Sequence, residues 1–132
     1  MEHVTRSEAV TEGVRVEVEA RFSPEHSDPA HSEWFFLYTI RLTNEGGEAC
    51  QLISRHWEIR NATGNLEEVR GPGVVGEQPV LEPGNSFEYT SGCPLDTPFG
   101  SMEGSYQMVG AGGQEFDVAI ARFELREPRA VH

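Results

Sequence analysis

The chain has 132 residues and a formal net charge of −12, and 37% of its residues are hydrophobic. This length fits one domain with its own hydrophobic core, and no apolar run approaches the length needed to span a membrane. The acidity argues against direct contact with nucleic acid, whose phosphates it would repel, and the lack of any lysine excludes chemistry that requires a lysine amine.

The two ends of the chain are predicted to lie outside the folded domain. Residues 1–13 are polar and lack periodicity, which predicts a flexible N-terminal tail, and 127–132 are expected to form a C-terminal tail. The domain itself is then 14–126. The first residues lack the basic start and apolar core of a secretory signal, so we expect a cytoplasmic protein in which Cys50 and Cys93 are reduced thiols.

The first part of the domain predicts two strands joined by a loop. Residues 14–22 alternate between apolar and charged side chains, which is typical of a strand with one face on a core. Residues 23–32 carry two prolines and predict a loop. The second strand, 34–43, is apolar on both faces at its start, because Phe35 and Leu37 lie opposite its other apolar residues. Either a central strand covered on both sides or an exposed interaction surface would explain these two residues.

Turn-forming residues divide the rest of the chain into further short strands. Asn44 to Gly47 predicts a hairpin turn, which returns the chain into a strand over 50–60. The later predicted elements are a weaker strand over 66–75, a strand over 86–91, a loop over 92–100, a strand over 102–108 and a strand over 114–125 with a bulge near Ala121.

These elements together predict the fold class. Seven to eight strands, frequent turn signals and no helical periodicity favour an all-β protein, a two-sheet antiparallel β-sandwich. The string Gly71-Pro72-Gly73-Val74-Val75-Gly76 matches the dinucleotide-binding G-x-G-x-x-G pattern, but that motif requires a helix to follow it. Pro79 and Pro83 fall where the helix would have to be, so the pattern does not indicate a dinucleotide site.

Three motifs follow one another in the second half of the chain. They are Gly71-Pro72-Gly73-Val74-Val75-Gly76-Glu77-Gln78-Pro79, then Leu81-x-Pro83-Gly84 with Phe87-x-Tyr89-Thr90-Ser91-Gly92-Cys93, then Pro94-Leu95-x-Thr97-Pro98-x-Gly100-Ser101-Met102-x-Gly104-Ser105-Tyr106-Gln107-Met108. With Leu52-Ile53-Ser54-Arg55-His56-Trp57 upstream, they resemble the ApaG family, also called CorD. The resemblance covers roughly Val14 to Leu125.

The resemblance implies an immunoglobulin-like or fibronectin type III-like sandwich, in agreement with the strand pattern. It also implies a link to cobalt and magnesium tolerance in bacteria, and a role in protein interaction for the related eukaryotic domains. No established catalytic residues or cofactor come with the family. We therefore expect a non-catalytic binding module with an unidentified protein partner, no cofactor and no membrane or direct nucleic acid partner, as a monomer or weak homodimer.

Two small-ligand hypotheses stand beside this expectation. In the first, the glycine-rich loop senses a phosphate, pyrophosphate or nucleotide through its backbone amides, although a strand edge shaped by turn geometry would explain the same residues. Its candidate residues are Arg70, Gly71, Gly73, Val74, Val75 and Gly76. In the second, His26 and His31 help to bind a divalent metal ion, although a polar surface loop would also explain them.

Overall fold

A computed structural model describes residues 3–129. These residues form nine strands and two short 3-10 turns, Pro24–His26 and Pro29–His31, and they contain no α-helix. No helix in this range is long and apolar enough to cross a membrane. The strands are β1 (Val4–Thr11), β2 (Val14–Phe22), β3 (Trp34–Asn44), β4 (Cys50–Asn61), β5 (Leu66–Pro72), β6 (Val80–Leu81), β7 (Ser86–Leu95), β8 (Phe99–Gly110) and β9 (Glu115–Arg126).

The strands form two antiparallel sheets packed as a sandwich, which confirms the predicted fold class. The first sheet has the order β1-β2-β3-β7. The second has the order β5-β4-β8-β9, and the two-residue strand β6 pairs with β4 beyond the end of β5. Each sheet therefore has two edge strands, β1 and β7 in the first sheet, and β5 and β9 in the second.

The core lies between the sheets and follows the period-two alternation of the strands. In β2 and β3 the inward residues are almost fully buried, while the charged residues between them face solvent. Tyr38, Trp57 and Phe123 form an aromatic cluster across the two sheets, with ring centroids 5.5 to 6.1 Å apart and mostly edge-to-face geometry. Burial of these large side chains is the main force that holds the sheets together.

The prediction of a flexible N-terminal tail is wrong over Val4–Thr11, which form β1 and pair with β2 along their whole length. The sequence does not show this strand because polar and apolar residues exchange their usual faces in β1. Thr5 and Ser7 face inward, while Val10 faces outward and is half exposed. Residues 1 and 2 lie outside the described range. At the other end β9 ends at Arg126, and 130–132 also lie outside that range.

The predicted loop over 92–100 is too long, because β7 continues to Leu95 and β8 starts at Phe99, which leaves 96–98 as the loop. Pro94 is compatible with a strand here because β7 is an edge strand, where a missing N–H can face away from the ladder. The predicted bulge near Ala121 is confirmed: Ala121 and Arg122 together oppose Glu103 on β8. The bulge keeps Ile120 and Phe123 both inside the core, although their parity differs.

Candidate functional site

The two lateral sides of the sandwich differ, and the first of them is closed. There β1 lies against β9, and its inward side chains bond to the β9 backbone. The hydroxyl of Thr5 donates to the carbonyl of Glu124, and the hydroxyl of Ser7 donates to the carbonyl of Ala121 at 2.8 Å. Ala121 belongs to the bulge, so Ser7 supplies a partner to a carbonyl at the point where the ladder is disrupted.

The opposite side, between β5 and β7, is open. The edges of the two sheets stand apart there and leave a cleft of about 470 Å³, a volume within the range of ligand sites. Most of the cleft surface is contributed by aromatic and aliphatic side chains. The principal ones are Tyr38, Trp57, Val69, Val74, Tyr89 and Met102.

The register of β4 and β5 sets the charge distribution along the cleft. Alternate residues of the two strands face it as pairs: Arg55 with Gly71, Trp57 with Val69, and Ile59 with Glu67. Arg55 and Glu67 are therefore at opposite ends of an apolar floor, and their backbone positions are separated by about 13 Å along the strand direction at 3.3 Å per residue. The cleft has a positive end and a negative end.

Arg55 is held in place by the chain that follows β5. Its Nη1 group donates to the carbonyl oxygens of Pro72 and Gly73, at 3.0 and 2.8 Å. A methyl group on Gly71 would lie 3.0 Å from Nη2, so a glycine lets the guanidinium lie flat on the neighbouring strand. None of the ion pairs in residues 3–129 includes Arg55.

The other polar groups of the cleft are uncharged at neutral pH. Burial raises the pKa of Tyr38 and Tyr89, and it raises the pKa of the Cys93 thiol to about 12. The hydroxyl of Tyr89 is hydrogen-bonded to that of Tyr106, and Tyr38 lies opposite Ser91 in the β3–β7 pairing. Arg55 and Glu67 are thus the charged groups of the lining.

The glycine-rich loop forms one wall of this cleft rather than a cradle of free amides. Val74 and Glu77 exchange two backbone hydrogen bonds of 2.8 Å around a tight turn, in which Val75 and Gly76 both have positive φ. The amide of Gly73 donates to the carbonyl of Ile53. The amides of Gly73 and Val74 are therefore already used within the chain. We call residues 73–77 the cleft lip.

The structure does not bring Arg70 to the cleft. Arg70 pairs with His56 on the opposite face of the second sheet, and its side chain is 71% exposed. Its guanidinium lies 3.9 Å from the carboxylate of Glu68, which also accepts a hydrogen bond of 2.8 Å from Nε2 of His56. Of the residues predicted to bind an anion, Val74, Val75 and Gly76 line the cleft, and Gly71 packs under the nearby Arg55.

The predicted interaction residues Phe35 and Leu37 lie on the outer face of the first sheet and are both half-buried. The ring of Phe35 covers Gly92, where any side chain would overlap it, and its centroid is 5.5 Å from that of His26. The backbone N–H of Phe35 donates to the hydroxyl of Ser27. Phe35 is thus partly covered by the segment that precedes β3.

His26 and His31 have separate partners close in sequence. Nδ1 of His26 is 2.6 Å from the hydroxyl of Ser23, and Nδ1 of His31 is 2.6 Å from the carboxylate of Asp28. In the described part of the chain, no group of three or more His, Cys, Asp or Glu side chains is placed to hold a metal ion. The structure therefore does not unite the two histidines in one site.

Sequence reasoning missed the cleft, although β4 carried a signal for it. Arg55 shares the parity of Trp57 and Ile59, so a guanidinium lies within the inward-facing series of this strand. A charged residue in an inward-facing series indicates either a buried partner or a site. What the pattern could not show is that β5 and β7 would meet at an open side.

Comparison with known proteins identifies the family. The ApaG domain family matches residues 24–110. Protein ApaG of Methylorubrum populi is 54% identical over 127 residues, covering 94% of this chain and 98% of the relative. Protein ApaG of Bordetella pertussis is 53% identical over 117 residues, covering 89% of each chain. The crystal structure of a Bordetella pertussis protein designated ApaA has a TM-score of 0.85 at 52% identity, covering 89% of this chain and 95% of that one. The chain belongs to the ApaG family.

Proposed function

We propose that the protein is a non-catalytic binding module of the ApaG type that holds an extended segment of a protein partner at its open side. The observation that carries the proposal is the cleft of about 470 Å³ between two edge strands, β5 and β7, each paired on one side only. A free strand edge can pair with a partner strand, while a neighbouring apolar cleft selects its side chains. Both features occur together at this side.

The distribution of exposed apolar side chains supports the same side. Four large hydrophobic residues are exposed in the described range, and three of them lie along the edge formed by β5, the cleft lip and β6. Leu66, Val75 and Val80 are 45%, 55% and 56% exposed. Val10, at 49%, lies on β1 at the closed side. Exposed apolar residues grouped along one edge are typical of an interaction surface.

The backbone of Val75 gives a second reason. A β-branched residue with a φ of +44° is in a conformation that favours glycine or asparagine, so it stores strain. The tight turn between Val74 and Glu77 keeps the apolar side chain of Val75 in solvent at the tip of the cleft lip, in spite of this strain. Such a cost is compatible with a residue that is buried only when a partner is bound.

The proposal includes a cytoplasmic location, for which the free, buried thiols Cys50 and Cys93 are suited. It also accounts for the link to cobalt and magnesium tolerance that the family resemblance implies: the link would act through the protein partner. His26 and His31 have separate local partners, so this route does not depend on them as metal ligands.

Site-specific photo-crosslinking in cells that naturally carry the protein tests the proposal. A photoreactive phenylalanine analogue is placed at Val75 or Val80 on the open side, or at Val10 as the matched exposed position on the closed side. We expect the same discrete adduct from the first two positions and none from Val10. Adducts formed equally from Val10, or no adduct from Val75 and Val80 in folded protein, would overturn the proposal.

A further inference from the structure

The cleft has a direction, and this direction restricts what can occupy it. Arg55 lies at the end that the cleft lip closes, because its Nη1 group is bonded to Pro72 and Gly73 where the chain leaves β5. Glu67 lies at the other end of the floor, is exposed, and belongs to none of the ion pairs among the described residues. The aromatic floor around Trp57 lies between these charges.

The donors of Arg55 are only partly used. Two of its five N–H groups are accounted for by the two carbonyls, and the described residues supply no carboxylate within 4 Å. A guanidinium is the cation best suited to bind a carboxylate through two parallel hydrogen bonds. In a half-buried, apolar cleft such a contact is worth more than it is on an open surface.

The spacing of the floor fits the end of a peptide chain. Arg55 and Trp57 are two residues apart on one strand, or about 7 Å, and the backbone positions of Arg55 and Glu67 are separated by about 13 Å along the strand direction, the length of about four extended residues. A chain that runs along the cleft toward Arg55 meets the lip there. A segment that ends at this point needs no exit, whereas one that continues has to pass the lip.

We propose, on the basis of the function proposed above, that the cleft binds the carboxyl terminus of a partner protein, with the terminal carboxylate on Arg55 and an apolar terminal side chain against the partly buried Val69 and Ile59 of the floor. The negative end at Glu67 then faces residues upstream of the terminus. There it favours a backbone or side-chain donor and disfavours an acidic residue. The two charges of the cleft thereby fix the direction in which the segment binds.

The test uses a pair of short peptides and the intact protein. One peptide is N-acetylated Gly-Gly-Gly-Trp with a free carboxylate, and the other is the same peptide as its carboxamide. Binding to labelled protein is followed by NMR at the Arg55 Nε–H and the Trp57 indole N–H. We expect the acid to bind at least about tenfold more tightly than the amide, as a charge-assisted hydrogen bond predicts.

Two variants test which residue causes the preference for the acid over the amide. Arg55→Gln is expected to remove the preference for the acid over the amide. Glu67→Gln is the control, because it also changes the net charge of the cleft by one unit. Because its backbone position is about 13 Å along the sheet from that of Arg55 and its side chain is exposed, it is expected to change the affinity for the acid less than Arg55→Gln does. If Arg55→Gln does not fold, the ratio between acid and amide in the natural protein and in Arg55→Lys still decides the question.

Equal affinities of the two peptides, or a preference that persists in Arg55→Gln, would overturn the inference about the carboxyl terminus. So would the lack of a response at either reporter group with millimolar peptide. None of these results would remove a crosslink from Val75 or Val80, because those positions report on partner docking. Failure of the crosslinking experiment with success of the peptide titration would instead place the ligand in the cleft and the partner elsewhere.

Discussion

The closed and open sides of the sandwich are built from the same kind of element, a pair of facing edge strands, but the side chains on those strands differ. On the closed side, β1 turns Thr5 and Ser7 inward, and these small side chains reach the backbone of β9. On the open side, the edge strand β7 turns Tyr89 inward, and Trp57 of β4 lies next to the edge strand β5. Small polar residues allow two sheet edges to approach and bond, whereas large rings fill the interior and leave the edges apart. The difference between a sealed edge and an open edge is therefore made by a few inward positions.

The largest expected effect comes from removing the turn that forms the cleft lip. Gly73 has a φ of +59°, and a side chain there would overlap the carbonyl oxygen of Glu77. Gly73→Ala should lower the free energy of unfolding by about 3 kcal/mol, because left-handed strain and overpacking add. Gly76→Ala is the matched control, since Gly76 also has positive φ but has open space around it. It should cost only about 1 kcal/mol.

Urea unfolding of the two glycine variants measures the difference directly. If both variants lower the free energy of unfolding by the same amount, the carbonyl oxygen of Glu77 does not restrict the side chain at position 73. The tight turn then does not fix the position of the cleft lip. The lip would then give no reason for a segment to end beside Arg55.

A smaller effect is expected from opening the closed side. In the double variant Thr5→Val with Ser7→Ala, the carbonyls of Glu124 and Ala121 lose their hydroxyl donors. At about 1 kcal/mol for each bond, the free energy of unfolding should fall by about 2 kcal/mol. Hydrogen exchange should also become faster in β1 and around the bulge in β9, and remain unchanged in β5 and β7. An equal change at both sides would mean that the closed side is not held by these bonds.

The smallest effect concerns how far water is excluded from the open side. The pKa of the Cys93 thiol reports this exclusion. Burial raises the pKa of this thiol to about 12, so above pH 9 the unfolded chain releases a proton that the folded chain keeps. The contribution of Cys93 to stability is therefore constant below the pKa of the unfolded thiol, and it is lost as the pH rises toward 12. The free energy of unfolding should fall by about 1 kcal/mol between pH 9 and 10 from this group.

Cys93→Ala isolates that contribution from those of Cys50 and the buried tyrosines, whose pKa values are also raised. The variant should show a shallower loss of stability over the same pH range, by the amount given for Cys93. An identical pH dependence in the variant and the natural protein would show that water reaches the thiol freely and that the cleft is wider than its lining indicates.

Much of the fold could be predicted from the sequence because burial follows strand parity. Residues 14–22 carry valines on one parity and charges on the other, and the structure places them accordingly. The bulge near Ala121 could be predicted because the apolar residues change parity within one strand. β1 could not be predicted, because its inward positions bond to a backbone 110 or more residues away in the chain, and small hydroxyl side chains do not show that role locally.

The candidate site was less predictable than the fold. The glycines of the 71–76 loop suggested an anion site, but Gly71 makes room for the guanidinium of Arg55, and Gly73 forms a tight turn. Both requirements arise from tertiary contacts. The positive and negative ends of the cleft depend on the register of β4 and β5, which places Arg55 opposite Gly71 and Glu67 opposite Ile59. This register cannot be read from the sequence of either strand alone.

The two edge strands at the open side each contain a proline, Pro72 at the end of β5 and Pro94 near the end of β7. A proline lacks the N–H that an added strand would need, so a visiting strand can pair along only part of either edge. A short segment tolerates that interruption, but a growing stack of identical chains loses a bond at each addition. The two prolines therefore act against edge-to-edge aggregation of the protein with itself.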